Sequence, residues 1–151
     1  MRNFKPYELV PKTTYERLGD EGSLNLLKPK FKIALDNLSD FFSHYREEHC
    51  PLSLNDYYNG GTRQFCGWRP EICTDADGHP VGAGHSQHKD GNAGDVHCKI
   101  YTAEQMREII IAHKDDPLLQ LITRLEAGVT WLHFDLMILP EGMERIHLFK
   151  S

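Results

Sequence analysis

The chain has 151 residues, 40% of them hydrophobic and 26% charged, with a formal net charge of −5. This balance suits a single domain spanning residues 1–151 with one core. The acidic charge and the scattered 17 Lys and Arg argue against a nucleic-acid partner, because phosphate binding takes a concentrated basic face. Residues 1–10 hold only isolated apolar side chains, so neither a secretory signal nor a membrane span is expected.

Taken in chain order, Lys12 to Leu27 mixes helix formers with Gly19 and Gly22 after the Pro11 break, which predicts one or two short turns of helix. Phe31, Ala34, Leu35, Leu38, Phe41, Phe42 and Tyr45 recur every three or four residues behind Pro29. That spacing predicts an amphipathic helix with its polar side carrying Lys30, Lys32, Asp36, Asp40 and Glu47. A short strand is expected over 52–56. A long Gly- and Pro-containing stretch then runs to Gly84, long enough to suggest a functional surface.

From Asn92 to Ile100 the residues alternate as in a strand, with Asp95 and His97 on one face and Val96, Cys98 and Ile100 on the other. Thr102 to Gln105 reads as a capping box opening a helix to about Lys114, and Asp116-Pro117 as the start of another to about Leu125. A last strand would put Trp131, His133 and Asp135 on one face and Leu132, Phe134, Leu136 and Ile138 on the opposite one. The order implies an α+β domain whose sheet is largely antiparallel, with helices covering one face.

Four cysteines, at 50, 66, 73 and 98, are too few and irregular for a disulfide scaffold. Buried free thiols are expected, with Cys66 and Cys73 able to pair across their loop in an oxidising compartment. Most of the nine histidines are ordinary exposed or hydrogen-bonded residues, His44, His49, His79, His113 and His147 among them.

His88, Asp95 and His133 stand apart. His88 precedes the turn at Gly91, Asp95 follows it on a strand, and His133 arrives from a neighbouring strand. Imidazole and carboxylate are good zinc ligands, and a three-ligand site keeps a position for water, which can become a nucleophile near neutral pH. His97 shares a face with Asp95 and is a candidate partner of a ligand, or a ligand itself in another register. His85 is undecided on the same grounds.

The pattern Ser86-x-His88-x-x-Gly91-x-Ala93-x-Asp95 with a later Trp131-x-His133-x-Asp135 resembles the zinc peptidases of the D-alanyl-D-alanine carboxypeptidase superfamily, which shares its fold with the hedgehog signalling domain. The segments 55–61 and 67–70 and the N-terminal 6–11 are similar to single-domain phage members, so the likeness covers most of the chain.

The resemblance implies a zinc site, opposite the helices, with His88, Asp95 and His133 as ligands to one Zn2+. It also implies a peptidoglycan stem peptide containing D-amino acids as substrate, cut by carboxypeptidase or endopeptidase action. Arg69 would bind or polarise the substrate, with Arg63 its competitor; Ser86 would bind substrate or support its loop. Several members carry an acidic residue three positions before the last histidine; here that position is Thr130. Asp135, by a small margin, and Glu126 are the replacement candidates for the proton-transferring carboxylate.

A phage lysis or virion protein, made in the cytoplasm and acting on the cell wall, would fit a chain without a signal. Two other readings stay open: a zinc-stabilised binding or virion module without turnover, favoured by Thr130, and a metal-free globular protein.

Overall fold

The protein is described by a computed structural model covering residues 1–47, 50–75, 77–82 and 86–150. His49 and His85 lie outside the described residues. The fold is mixed α and β, with helices α1 (Lys12–Asn25), α2 (Pro29–His44) and α3 (Ala103–Ala112) and strands β1 (Leu52–Ser53), β2 (Ala93–Cys98), β3 (Arg124–Glu126), β4 (Leu132–Asp135) and β5 (His147–Phe149). The strands form one open sheet in the order β1-β2-β4-β3-β5. Every pairing is antiparallel except β3 with β5.

α1 is broken where the helical periodicity carries Gly19, which adopts φ +63°, a backbone region costly for residues with a Cβ. α2 begins on Pro29, whose missing N–H is no loss in a first turn. Its apolar stripe of Phe31, Ala34, Leu35, Leu38, Phe41 and Phe42 is buried. Phe31 stacks on Phe134 of β4 with ring centroids 5.4 Å apart, and Val96, Leu125 and Leu132 complete this part of the core. Because Phe134 is fully buried, Phe134→Ala is expected to lower stability by about 3–5 kcal/mol, read as a shift in the urea unfolding midpoint. α3 opens with the expected box, Thr102 accepting from Gln105 N while the Gln105 side chain accepts from Thr102 N.

Three expectations are corrected. The helix predicted from Asp116 ends after a single 3-10 turn, Pro117–Leu119, and residues 124–126 pair as β3. The carbonyls of Leu119 and Ile122 accept from the Arg145 guanidinium, so a distant side chain occupies the acceptors that a longer helix would have used. Second, Cys50 is bonded to Cys98, whereas Cys66 and Cys73 are free. The pairing of Leu52 with Cys98 across β1 and β2 brings Cys50 alongside, a proximity that 48 residues of separation conceal. Third, β4 stops at Asp135 and β2 at Cys98, leaving Ile138 and Ile100 exposed rather than in the core. β5 was not predicted; its three residues are too short to show a period.

Candidate metal centre

Asp95 and His133 are direct partners across the β2–β4 ladder, so a strand register alone places carboxylate beside imidazole. His88 arrives from the preceding turn. Gly91 closes that turn at φ +65°, and a Cβ there would sit 2.0 Å from the Leu26 carbonyl oxygen; only glycine lets the chain pass so close and return into β2. Ser86 Oγ accepts from His88 N at 3.3 Å, so Ser86 supports the turn that carries the histidine.

The three donors converge. His133 Nδ1 lies 2.8 Å from Asp95 Oδ1, and His88 Nε2 lies 3.3 Å from each of them. A tetrahedral site with bonds of about 2.0–2.1 Å has edges of about 3.3–3.4 Å; the two separations to His88 match it, while Asp95 and His133 stand at hydrogen-bond distance and would have to part slightly to share an ion. His88, Asp95 and His133 are all buried, an arrangement costly for unpaired polar groups. These residues could hold a divalent cation.

The tautomers follow from the groups behind the rings. His88 Nδ1 lies 2.7 Å from the Gly67 carbonyl oxygen, which only accepts, so Nδ1 carries the proton and Nε2 presents a lone pair to the centre. On His133, Nε2 faces Asp135 Oδ2 at 3.4 Å and Nδ1 faces Asp95 Oδ1 at 2.8 Å, so the metal-free ring carries a proton on both nitrogens and Nδ1 would give up its proton to a bound cation. A carboxylate or carbonyl behind each ring is the usual support of a metal-binding histidine.

Asp135 is itself fully engaged. Its two oxygens accept from Arg124 at 2.6–3.1 Å and Oδ1 also accepts from Met137 N. Burial raises its pKa, but His133, Arg124 and the Met137 amide outweigh that and hold it below the usual carboxylate range. For Asp95, burial likewise pushes upward, and the charge and hydrogen bonds of His88 and His133 prevail, holding it well below.

Burial would lower the His133 pKa, but hydrogen bonds to Asp135 and Asp95 and the charge of both raise it to about 9 in the metal-free chain. The folded value lies above the ordinary 6.5, so this contribution to stability is complete below about 6.5 and is lost as pH rises through about 9. Thermal melts of chelator-treated protein are expected to show a fall in Tm between pH 7 and 9.5 that His133→Gln lacks.

Around the centre lies an open pocket of about 490 Å³ lined among others by Arg69, Ser86, Glu126, Trp131 and Phe149. Glu126 Oε2 is 3.9 Å from His133 Nδ1, and its side chain is 10% exposed. Thr130 instead lines a separate cavity with His97 and Cys98. Arg63 is ion-paired with Asp56 at 3.0 Å and does not line the central pocket. His97 stays outside the trio, its ring 3.8 Å from Cys66 Sγ, and burial followed by the nearby Arg63 charge lowers its pKa.

Arg124 was missed because its segment read as helix. The alternation of Arg124, Leu125 and Glu126 was the available signal for a strand. Among the described residues a second trio, Asp75, Asp77 and His79, is also close enough to share an ion, but it lies in an exposed turn where Asp75 Oδ1 already accepts from two backbone amides.

No helix among the described residues is long and apolar enough to cross a membrane. No family model matches the chain, and neither curated proteins nor solved structures give a match.

Proposed function

We propose that this chain is a zinc-dependent peptidase acting on stem peptides of bacterial peptidoglycan, of the D-alanyl-D-alanine carboxypeptidase type, with helices on one face of its sheet and the zinc site on the other. The observation that carries this reading is the convergence of His88 Nε2, Asp95 Oδ1 and His133 Nδ1, each histidine backed by an oxygen acceptor on its far nitrogen. The Ser86-to-Asp95 motif supports it from the sequence side.

A zinc ion held there supplies a Lewis acid for the scissile carbonyl and lowers the pKa of water at its open position. Glu126, at the pocket wall, accepts a proton from the attacking water and returns it to the leaving amine as the peptide bond breaks. Asp135 serves instead to hold the His133 ring, because Arg124 and Met137 N already occupy its oxygens. Arg69 lines the same pocket, where a planar cation suits a substrate carboxylate. The setting proposed is the cell wall, reached as a phage lysis or virion protein.

Mass spectrometry of a muropeptide mixture is the test. Incubation is expected to release products lacking D-alanine or split within the stem, with cleavage lost on chelation and restored by zinc. Intact peptides from a zinc-loaded, folded protein at every pH would rule the peptidase out. The presence of Thr130 where an acidic residue stands in several members favours one second reading, a zinc-stabilised binding module; it predicts that chelation unfolds the protein with no cleavage at any stage.

A further inference from the structure

We infer that Asn55 is a positioning residue of the metal centre, acting through residues 66–68, the stretch of backbone on which two of the three donors rest. The inference depends on the metal-binding reading above. Three consecutive residues of this strap bond to the segments that carry the donors. The Cys66 carbonyl accepts from Asp95 N at 2.7 Å, the Gly67 carbonyl accepts from His88 Nδ1 at 2.7 Å, and Trp68 Nε1 donates to the Lys89 carbonyl at 2.9 Å. The strap therefore sets both the place of Asp95 and the tautomer of His88.

The opposite side of the strap is fixed with little latitude. Trp68 N donates to the Leu9 carbonyl at 2.7 Å, and a Cβ on Gly67 would lie 2.1 Å from the same oxygen. Asn55 joins these pieces. It is 3% exposed; its Oδ1 accepts from Cys66 N at 2.9 Å and its Nδ2 donates to the Val10 carbonyl at 2.8 Å. Its own N donates to the Glu8 carbonyl at 3.1 Å.

The position needs an acceptor and a donor on one short side chain in a dry place. Aspartate supplies only the acceptor, and an apolar residue leaves two buried backbone groups unpaired. Both contacts to the donors are made by backbone carbonyls, so the side chain whose chemistry governs them is that of Asn55, and Arg69 leaves the strap directly into the pocket.

Cobalt(II) titration of the full chain tests this, because the visible bands of the bound ion report its coordination geometry. The wild type is expected to bind one cobalt with a tetrahedral spectrum. Asn55→Ala is expected to bind it about 10–100-fold more weakly with altered bands. Asn55→Asp, which keeps the acceptor for Cys66 N and loses the donor to Val10, falls between. Trp68→Phe removes the link to Lys89 together with part of a ring that packs against the core, weakens binding less than Asn55→Ala, and decides the matter if the Asn55 variants fail to fold. A core control on α3, Ile110→Val, lowers Tm and leaves affinity and bands unchanged.

Wild-type affinity and bands in both Asn55 variants would overturn the inference, as would equal changes in Ile110→Val, and if those two do not fold, an unchanged Trp68→Phe overturns it. A wild type that binds no cobalt would instead overturn the metal centre itself, and this inference with it.

Discussion

His88→Ala is expected to come through purification without stoichiometric zinc and without any hydrolysis of wall peptides, while keeping its fold. His88 is fully buried and is one of the three donors proposed for the ion, so its loss would leave Asp95 and His133 as a two-point site. Changing a group behind a ligand typically costs about 10–100-fold in metal affinity, and removing the ligand itself costs more. The fold is expected to survive because the turn at 86–91 rests on backbone bonds, including Lys28 N to the Gly91 carbonyl at 2.9 Å, that the substitution leaves alone. Elemental analysis with circular dichroism on the same sample checks the result. Full zinc occupancy in the variant would remove His88 from the ligand set.

The second large effect separates two carboxylates. Glu126→Gln is expected to lower kcat by about 10²–10⁴-fold with zinc content unchanged, since the amide keeps the shape and loses the proton-accepting oxygen. Asp135→Asn is expected to act chiefly on metal retention, by about 10–100-fold, because it disturbs the support of His133 and strands the Arg124 guanidinium that Asp135 now pairs. Paired measurements of turnover and zinc affinity on the two variants distinguish the roles. Should Asp135→Asn lose turnover at full zinc while Glu126→Gln does not, the assignment of the two residues reverses.

The two carboxylates differ in how far the sequence alone brings them to the site. Asp135 shares a strand face with His133 at a spacing of two, a pattern visible in one short segment. Glu126, read as lying at the mouth of the last strand, reaches the site because β3 pairs with β4, with Leu125 opposite Phe134. Arg124, which pairs with Asp135, lies in the segment read as helix. Arg63, six residues from Arg69 in the same loop and its competitor for the substrate role, is set by the fold against Asp56, while Arg69 stands on the wall of the pocket.

What the amino-acid sequence determined alone was local. The three- and four-residue apolar period of α2, the Thr102–Gln105 box and the two-residue alternation around Asp95 and His133 each act within a few residues, so periodicity and capping chemistry suffice to read them. The choice of His88, Asp95 and His133 as a group was also within reach, because a tight turn and two strands carry them. Tertiary structure alone decided the β3–β5 pairing, the Cys50–Cys98 bond and the strap at 66–68 that orients His88. These depend on contacts between residues tens of positions apart, and such contacts form only where loop closure is repaid by burial and hydrogen bonding, a balance struck by the whole fold.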